Sequence, residues 1–136
     1  MKTFTYTFTV PASAIDFNGH VNNITYLEWM MEAAVRHSRS VGMSFERCVE
    51  LGGTWVARSN HIEYKKPAFE GEELRMETWI ESLGRLTSRR QYRIIRTEDE
   101  ALICSGQTEW VFVDAKRQRP APIPAPISEA FGFGVD

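Results

Sequence analysis

The stretch "NNITYLEWMMEAAVRHSRS", Asn22 to Ser40, decides how the rest of the chain is read. Asn22 or Asn23 can cap a helix here, and Gly42 is placed to stop it after about Ser40. On a wheel of 100° per residue, Ile24, Leu27, Met31, Ala34, Val35 and Ser38 share one face. Tyr26, Met30, Ala33 and His37 lie beside them, while Glu28, Glu32, Arg36 and Arg39 are confined to an arc of roughly 80°. A helix resting on one sheet shows a narrower apolar stripe than this. The pattern therefore predicts a helix wrapped by a sheet or covered by a second subunit. Glu32 and Arg36, four apart, can pair on the exposed strip.

Outward from the helix, the chain is rich in strand signals. Phe4 to Val10 alternates Thr with Phe, Tyr and Val, and Pro11 closes it. A polar loop with Gly19 as its turn residue follows. Beyond Gly52-Gly53 come four β-rich runs, about 54–64, 72–82, 86–97 and 101–113. The third strand alternates Leu74, Met76, Thr78 and Ile80 against Arg75, Glu77, Trp79 and Glu81. "SLGR" and "TEDE" read as hairpin turns. Strand, long helix, then four strands implies an α+β fold with an antiparallel sheet. The tail from 119 to 136, "RPAPIPAPISEAFGFGVD", reads as extended or wrapped over the surface, without a long helix.

With 136 residues, a single domain with its own core is expected over 1–136. A net charge of −2 gives no bulk attraction for nucleic acid. No run approaches the roughly 18 apolar residues of a membrane span. Cys48 and Cys104 form no motif, so a reduced, cytoplasmic setting is the simplest reading. His37 and His61 have no partners at metal-ligand spacing, and no Gly-rich phosphate loop, G-x-S-x-G elbow or C-x-x-C occurs. Neither a metal nor an organic cofactor is expected. Lys65, Lys66 and Arg58, and Arg89, Arg90 and Arg93, are candidate phosphate contacts or simply surface charges at sheet edges. Strand alternation sets Arg90 on the face opposite Arg89 and Arg93.

The eight residues before and into the helix hold Asp16, Asn18, His20, Asn22 and Asn23. A first helical turn offers backbone N–H groups without intrahelical partners, a site for an oxyanion or a polarised carbonyl oxygen. A carboxylate facing such a carbonyl can attack it or activate water to do so. Asn18 and His20 can orient the carboxylate or the water, and imidazole suits proton transfer. The same residue types are also ordinary turn and cap residues. Their concentration ahead of so apolar a helix is what marks the rim of a cleft.

The run "DFNGHVNNITYLEWMMEA" resembles the hotdog-fold thioesterases, namely the 4-hydroxybenzoyl-CoA thioesterase branch and the acyl-ACP thioesterases. D-x-N-x-H-V-N-N-x-x-Y is the most specific element. "HIEYKKPAFEGEEL" is similar to the family's E-Y-x-x-P-x-x-x-G-[DE]-x-L segment, and the last strand ends "FVD" before basic residues and "PIP". The resemblance covers nearly the whole chain. It implies an antiparallel sheet wrapped around one central helix, with the catalytic carboxylate at Asp16, joined by Asn18 and His20. It implies substrate contacts at Gly19, Val21, Asn22, Asn23 and Tyr26, and at Gly53 and Thr54 ahead of the second strand. It further implies an acyl-CoA or acyl-carrier-protein substrate, and a homodimer or homotetramer with its active site at the dimer interface. Pro67 stands where plant acyl-ACP enzymes carry an acidic residue. Two other readings share the fold. Enoyl-thioester hydratases use D-x-N-P-x-H, whose His falls one residue later than His20, and dehydratases use an H-F-P-G loop that is absent. A binder that holds an acyl thioester without cleaving it has little use for a desolvated carboxylate.

Overall fold

The computed structural model describes residues 2–134. Its elements run β1 (Phe4–Thr9), α1 (Asn23–Ser40), α2 (Phe45–Glu50), β2 (Gly53–Tyr64), β3 (Glu73–Leu83), β4 (Thr87–Arg96), β5 (Ala101–Asp114) and α3 (Ala125–Ala130). The five strands form one antiparallel sheet in the order β1-β3-β4-β5-β2. The expected strands are all present, within a residue or so of their expected ends. "SLGR" and "TEDE" make the two turns of a β3-β4-β5 meander, with β1 and β2 added at its outer edges. Register shifts at Ile80/Ser82, Ala57/Ser59 and Ile94/Ile95 break the ladders. Such bulges bend strands, and the sheet curves around α1.

Asn22 caps α1: its Oδ1 accepts from the Ile24 N–H at 2.9 Å. Gly42, at φ +82°, turns the chain away after Val41. The side of α1 pressed on the sheet is Tyr26, Met30, Ala33 and His37, joined by Ala34. The wheel placed the first four only beside the apolar face. Ile24 (70% exposed) and Val35 (47% exposed) on that face look outward instead. The stripe is wide because only part of it meets the sheet. Met30 packs with Val21, Leu74, Met76, Tyr92 and Ile94 in the main core. The helix comes close enough because Gly106 on β5 presents no side chain there: a Cβ would sit 2.6 Å from the Met30 sulfur.

Two short helices depart from the expected pattern. Ser44 caps α2, accepting from the Arg47 N–H at 3.1 Å. The tail does run over the surface: the Ala121 N–H donates to the Phe112 C=O, and the Ile123 N–H to the Arg85 C=O. It then forms α3, which seats Ile127 with Cys48 and Phe112 in a second small core. Six residues suffice because packing, not length, holds this helix. Tail positions 135 and 136 lie outside the described residues.

Gly106→Ala should lower stability by about 1–3 kcal/mol, because Met30 must move off the sheet to admit the methyl. Urea midpoints read this directly. An unchanged midpoint would show that the helix has slack at this point.

Candidate active site

The loop between β1 and α1 is itself a small built structure. Ile15 and Val21 form an antiparallel bridge. Within it the Asp16 N–H donates to the His20 C=O (3.0 Å) and the Gly19 N–H to the Asp16 C=O (3.0 Å). Gly19, at φ +85°, takes the left-handed position that the turn requires. The Asp16 Oδ1 accepts from the Asn18 N–H at 2.8 Å, which fixes the carboxylate's orientation within its own turn. Phe17 at the tip is 98% exposed, Asn18 is exposed, and Asp16 and His20 are half-buried.

Both ends of the loop are tied to the segment 67–72. The Val21 N–H donates to the Ala68 C=O (2.9 Å), and Val10 exchanges backbone bonds with Glu72 and Gly71. The Asn22 N–H donates to the Ala14 C=O, and the Thr25 N–H to the Asn22 C=O. Val21 and Asn22 thus spend their N–H groups inside the fold. Asn23 is the first-turn residue whose N–H makes no hydrogen bond among the described residues. Its carbonyl accepts from the Tyr64 hydroxyl at 3.2 Å. His20, Val21, Asn23 and Tyr26 meet Tyr64, Lys65, Lys66 and Pro67 around an open cleft of about 270 Å³. Burial pushes the Tyr26 phenol up to about 12, so it stays protonated.

Gly53 and Thr54 are not part of this cluster within the chain. They begin β2, while Tyr64 ends it, so roughly 35 Å of strand separates them at the usual rise. The strand β2 is an edge strand, paired on one side only, to β5. Gly53 has its own packing reason: a Cβ there would run into the Val113 carbonyl and the Phe112 ring.

The other phosphate candidates divide. Arg89 pairs with Glu81 (3.4 Å) and Glu109 (3.7 Å), Arg93 with Glu77 (3.7 Å), and Arg58 with Glu109. They belong to a mixed-charge outer face rather than a basic patch. Lys65 pairs with Glu63 at 2.8 Å, at the cleft's edge. Arg90 does face the opposite way and is buried at 3% exposure. Among the described residues, no three of His, Cys, Asp and Glu are grouped to hold a metal, and no helix is long and apolar enough to cross a membrane.

The sequence reading missed a second cavity of about 250 Å³, at the far end of β2. It lies between the later half of α1, α2 and the start of β2, with Arg90 and Thr54 in its wall. Beside it, Arg90 Nη1 donates to His37 Nδ1 (2.9 Å) and Thr78 Oγ1 (3.1 Å). Burial, with Arg90 next to it, lowers the His37 pKa from 6.5 to about 4. The signal was the odd Arg among inward positions of β4.

A single curved sheet around one long helix, with a polar turn at that helix's N-terminus, defines a hotdog fold. The chain belongs to the thioesterase-like superfamily, whose family model matches residues 10–131. It is 27% identical over 119 residues to an oleoyl-acyl carrier protein thioesterase of Arabidopsis thaliana, covering 82% of this chain and 33% of that one. It is 26% identical over 121 residues to an L-carnitine dehydrogenase/betainyl-CoA thioesterase of Ruegeria pomeroyi, covering 89% of this chain and 24% of that one. The chain therefore spans a third or less of the length of these relatives. Among solved structures, a 1,4-dihydroxy-2-naphthoyl-CoA thioesterase from Synechocystis superposes with a TM-score of 0.88 at 24% identity, covering 96% of both chains.

The His37 shift fixes the sign of a pH effect. The unfolded chain takes up a proton near 6.5 and the folded chain only near 4, so this group's contribution is complete above about pH 6.5. It is lost as pH falls toward 4, by on the order of 3 kcal/mol. Urea unfolding between pH 4 and 7 should show that decline, and His37→Gln should flatten it. An equal decline in the variant would assign it to the carboxylates.

Proposed function

We propose that this protein hydrolyses an acyl thioester of CoA or of a carrier protein. The observation that carries the reading is the Asp16 carboxylate, held in a tight turn ahead of the α1 N-terminus, where the Asn23 N–H is unspent. The thioester carbonyl oxygen lies toward that N–H and the helix dipole, which stabilise the charge that develops on it. Asp16 attacks the carbonyl carbon or takes a proton from the water that does. Collapse of the tetrahedral intermediate expels the thiolate. With water as nucleophile this gives the acid directly; with Asp16 as nucleophile it leaves an acyl-aspartyl anhydride that water then hydrolyses to the acid and free Asp16. Asn18 and His20 orient the carboxylate and water, and Gly19 sets the turn. Tyr26 and Tyr64 wall the cleft, and Lys65 and Lys66 lie where a pantetheine phosphate would pass.

The site is completed by a second copy. β2 leaves one edge unpaired, and Val56 (45% exposed) on β2 and Ile24 and Val35 on α1 expose apolar surface. Antiparallel pairing of two β2 edges about a twofold axis sets one end of the strand against the other. Gly53 and Thr54 of the partner subunit then stand beside Tyr64 and the Asp16 loop. This accounts for two positions that a single chain leaves stranded. Similarity to thioesterases of both carrier-protein and CoA esters supports the reaction class.

Free-thiol release should be measured on acyl-CoAs with short, long and aromatic groups, and on acyl-carrier-protein esters. Asp16→Asn should lower turnover by about 10²-fold or more, with an unchanged melting curve. Full activity in that variant would remove Asp16 from the mechanism, and tight binding without release would favour a binding protein. Sedimentation equilibrium should give a dimer or tetramer. A monomer that retains full turnover would refute the shared site.

A further inference from the structure

The second cavity holds a charge that the fold does not neutralise. Its walls are largely apolar, with Val35, Met43, Phe45, Trp55 and Ile80 among them. Inward positions on β4 are Ser88, Arg90, Tyr92 and Ile94, so Arg90 occupies a place that its neighbours fill with core. Taking a guanidinium out of water is costly unless an anion meets it. Among the described residues no carboxylate does: the contacts of Arg90 are His37, Thr78 and the ring of Phe131, 5.9 Å away. Neither polar contact carries compensating charge. His37 is neutral at pH 7, and its Nδ1 is the acceptor of the bond from Arg90. The Thr78 hydroxyl is committed to the Gln91 C=O at 2.8 Å.

The guanidinium is also held in place. His37 stacks on Phe4 at 5.2 Å and meets Phe131 edge-on at 5.0 Å, so the imidazole that grips Nη1 is itself clamped. Only Nη1 is engaged. Nε and Nη2 make no hydrogen bond among the described residues, which leaves part of the donor fork available on the wall of the cavity. A fixed, desolvated fork is suited to a planar anion, and a carboxylate is the anion that it matches in a bidentate way. A volume of about 250 Å³ falls just short of the roughly 300 Å³ at which small-molecule sites usually begin, which fits a short chain. Thr54 lines this cavity and begins β2, the end that edge pairing sets against the Asp16 loop of a second copy.

We propose that this cavity receives the far end of the acyl group and that Arg90 pairs there with a carboxylate. The preferred substrate is then the thioester of a short dicarboxylic acid, one carboxyl joined to the thiol and the other free. The inference rests on the thioesterase reading above and on the pairing of two β2 edges.

The test compares adipoyl-CoA with hexanoyl-CoA, which share a six-carbon chain and differ in the terminal carboxylate. Wild-type protein should favour adipoyl-CoA in kcat/KM by about tenfold or more, as a charge-assisted contact implies. In Arg90→Met the ratio should fall to one or reverse, and in Arg90→Lys, which keeps the charge without the fork, it should lie between. Arg90→Gln serves if the Met variant does not fold. A wild-type preference for hexanoyl-CoA, or a ratio unmoved by the Arg90 variants, overturns the proposal while thiol release leaves the thioesterase reading standing. If neither ester, nor any other tested, releases thiol, the thioesterase reading fails, and binding of adipate and of hexanamide, which has no carboxylate, then judges the cavity. A rise in melting temperature with adipate alone, lost in the Arg90 variants, supports the site; equal shifts overturn it.

Discussion

The structure depends on one fit, the close seating of α1 in the curve of the sheet. Met30 against Gly106 is a close approach within it, with no room for a Cβ. That contact sets how deeply the helix lies, and so where its N-terminus emerges at the sheet's rim. The turn carrying Asp16 is placed by the same fit, because Val21 is buried in the same core as Met30 while its N–H is tied to Ala68. In the proposed mechanism, a carboxylate on a free loop would have to be ordered on each substrate encounter. Here the bridge between Ile15 and Val21, the Asn22 cap and the ties to 67–72 have already met that cost in folding.

Much of this was legible in the residues. β-rich runs between turn signals located the strands, and period-two alternation separated Leu74, Met76, Thr78 and Ile80, which turn inward, from their neighbours. Asn22 and Gly42 bounded the helix because caps act through local chemistry. The Asp16–Asn23 cluster was visible for a related reason: a turn, a cap and a first helical turn are contiguous in sequence. What could not be read was set by distant contacts. The wheel could not say which side of a wide stripe meets the sheet, and so ranked Ile24 and Val35 with the core when they face outward. The helices α2 and α3 are six residues each, too short for periodicity to register, though Ser44 was a cap signal in plain view. Gly53 and Thr54 illustrate a further limit. Resemblance joined them to Asp16, whereas one chain places them at the opposite end of β2.

Arg90 is the instructive case. Alternation set it on the face opposite Arg89 and Arg93, yet it was grouped with them as a candidate phosphate contact or surface charge, and only the structure shows its face to be the inner one. Its neighbours in the chain are paired with Glu81, Glu109 and Glu77 in water, where such pairs contribute little. Arg90 is a different object because burial removes the solvent that makes the others ordinary. The inner face of the sheet also carries Thr78, Thr108 and Ser88, buried and polar. A polar track therefore crosses what is otherwise an apolar surface beneath the helix.

The strand order has a kinetic side. β1 and β2 are successive strands in the chain, with α1 between them, yet they end at opposite edges of the sheet. Phe4 must find Thr78, and Gly53 must find Asp114, across long stretches of sequence. The central three strands are joined by tight turns and need no such search. Loop-closure entropy thus favours the meander as the first ordered part, with both edges and the helix closing on it afterwards. On a ribosome this inverts the order of synthesis. The first strand and the long apolar helix emerge early and wait, uncovered, for a surface that is made last. The helix that gives the finished protein its core is, for the time it takes to synthesise some seventy further residues, the segment most exposed to unwanted association.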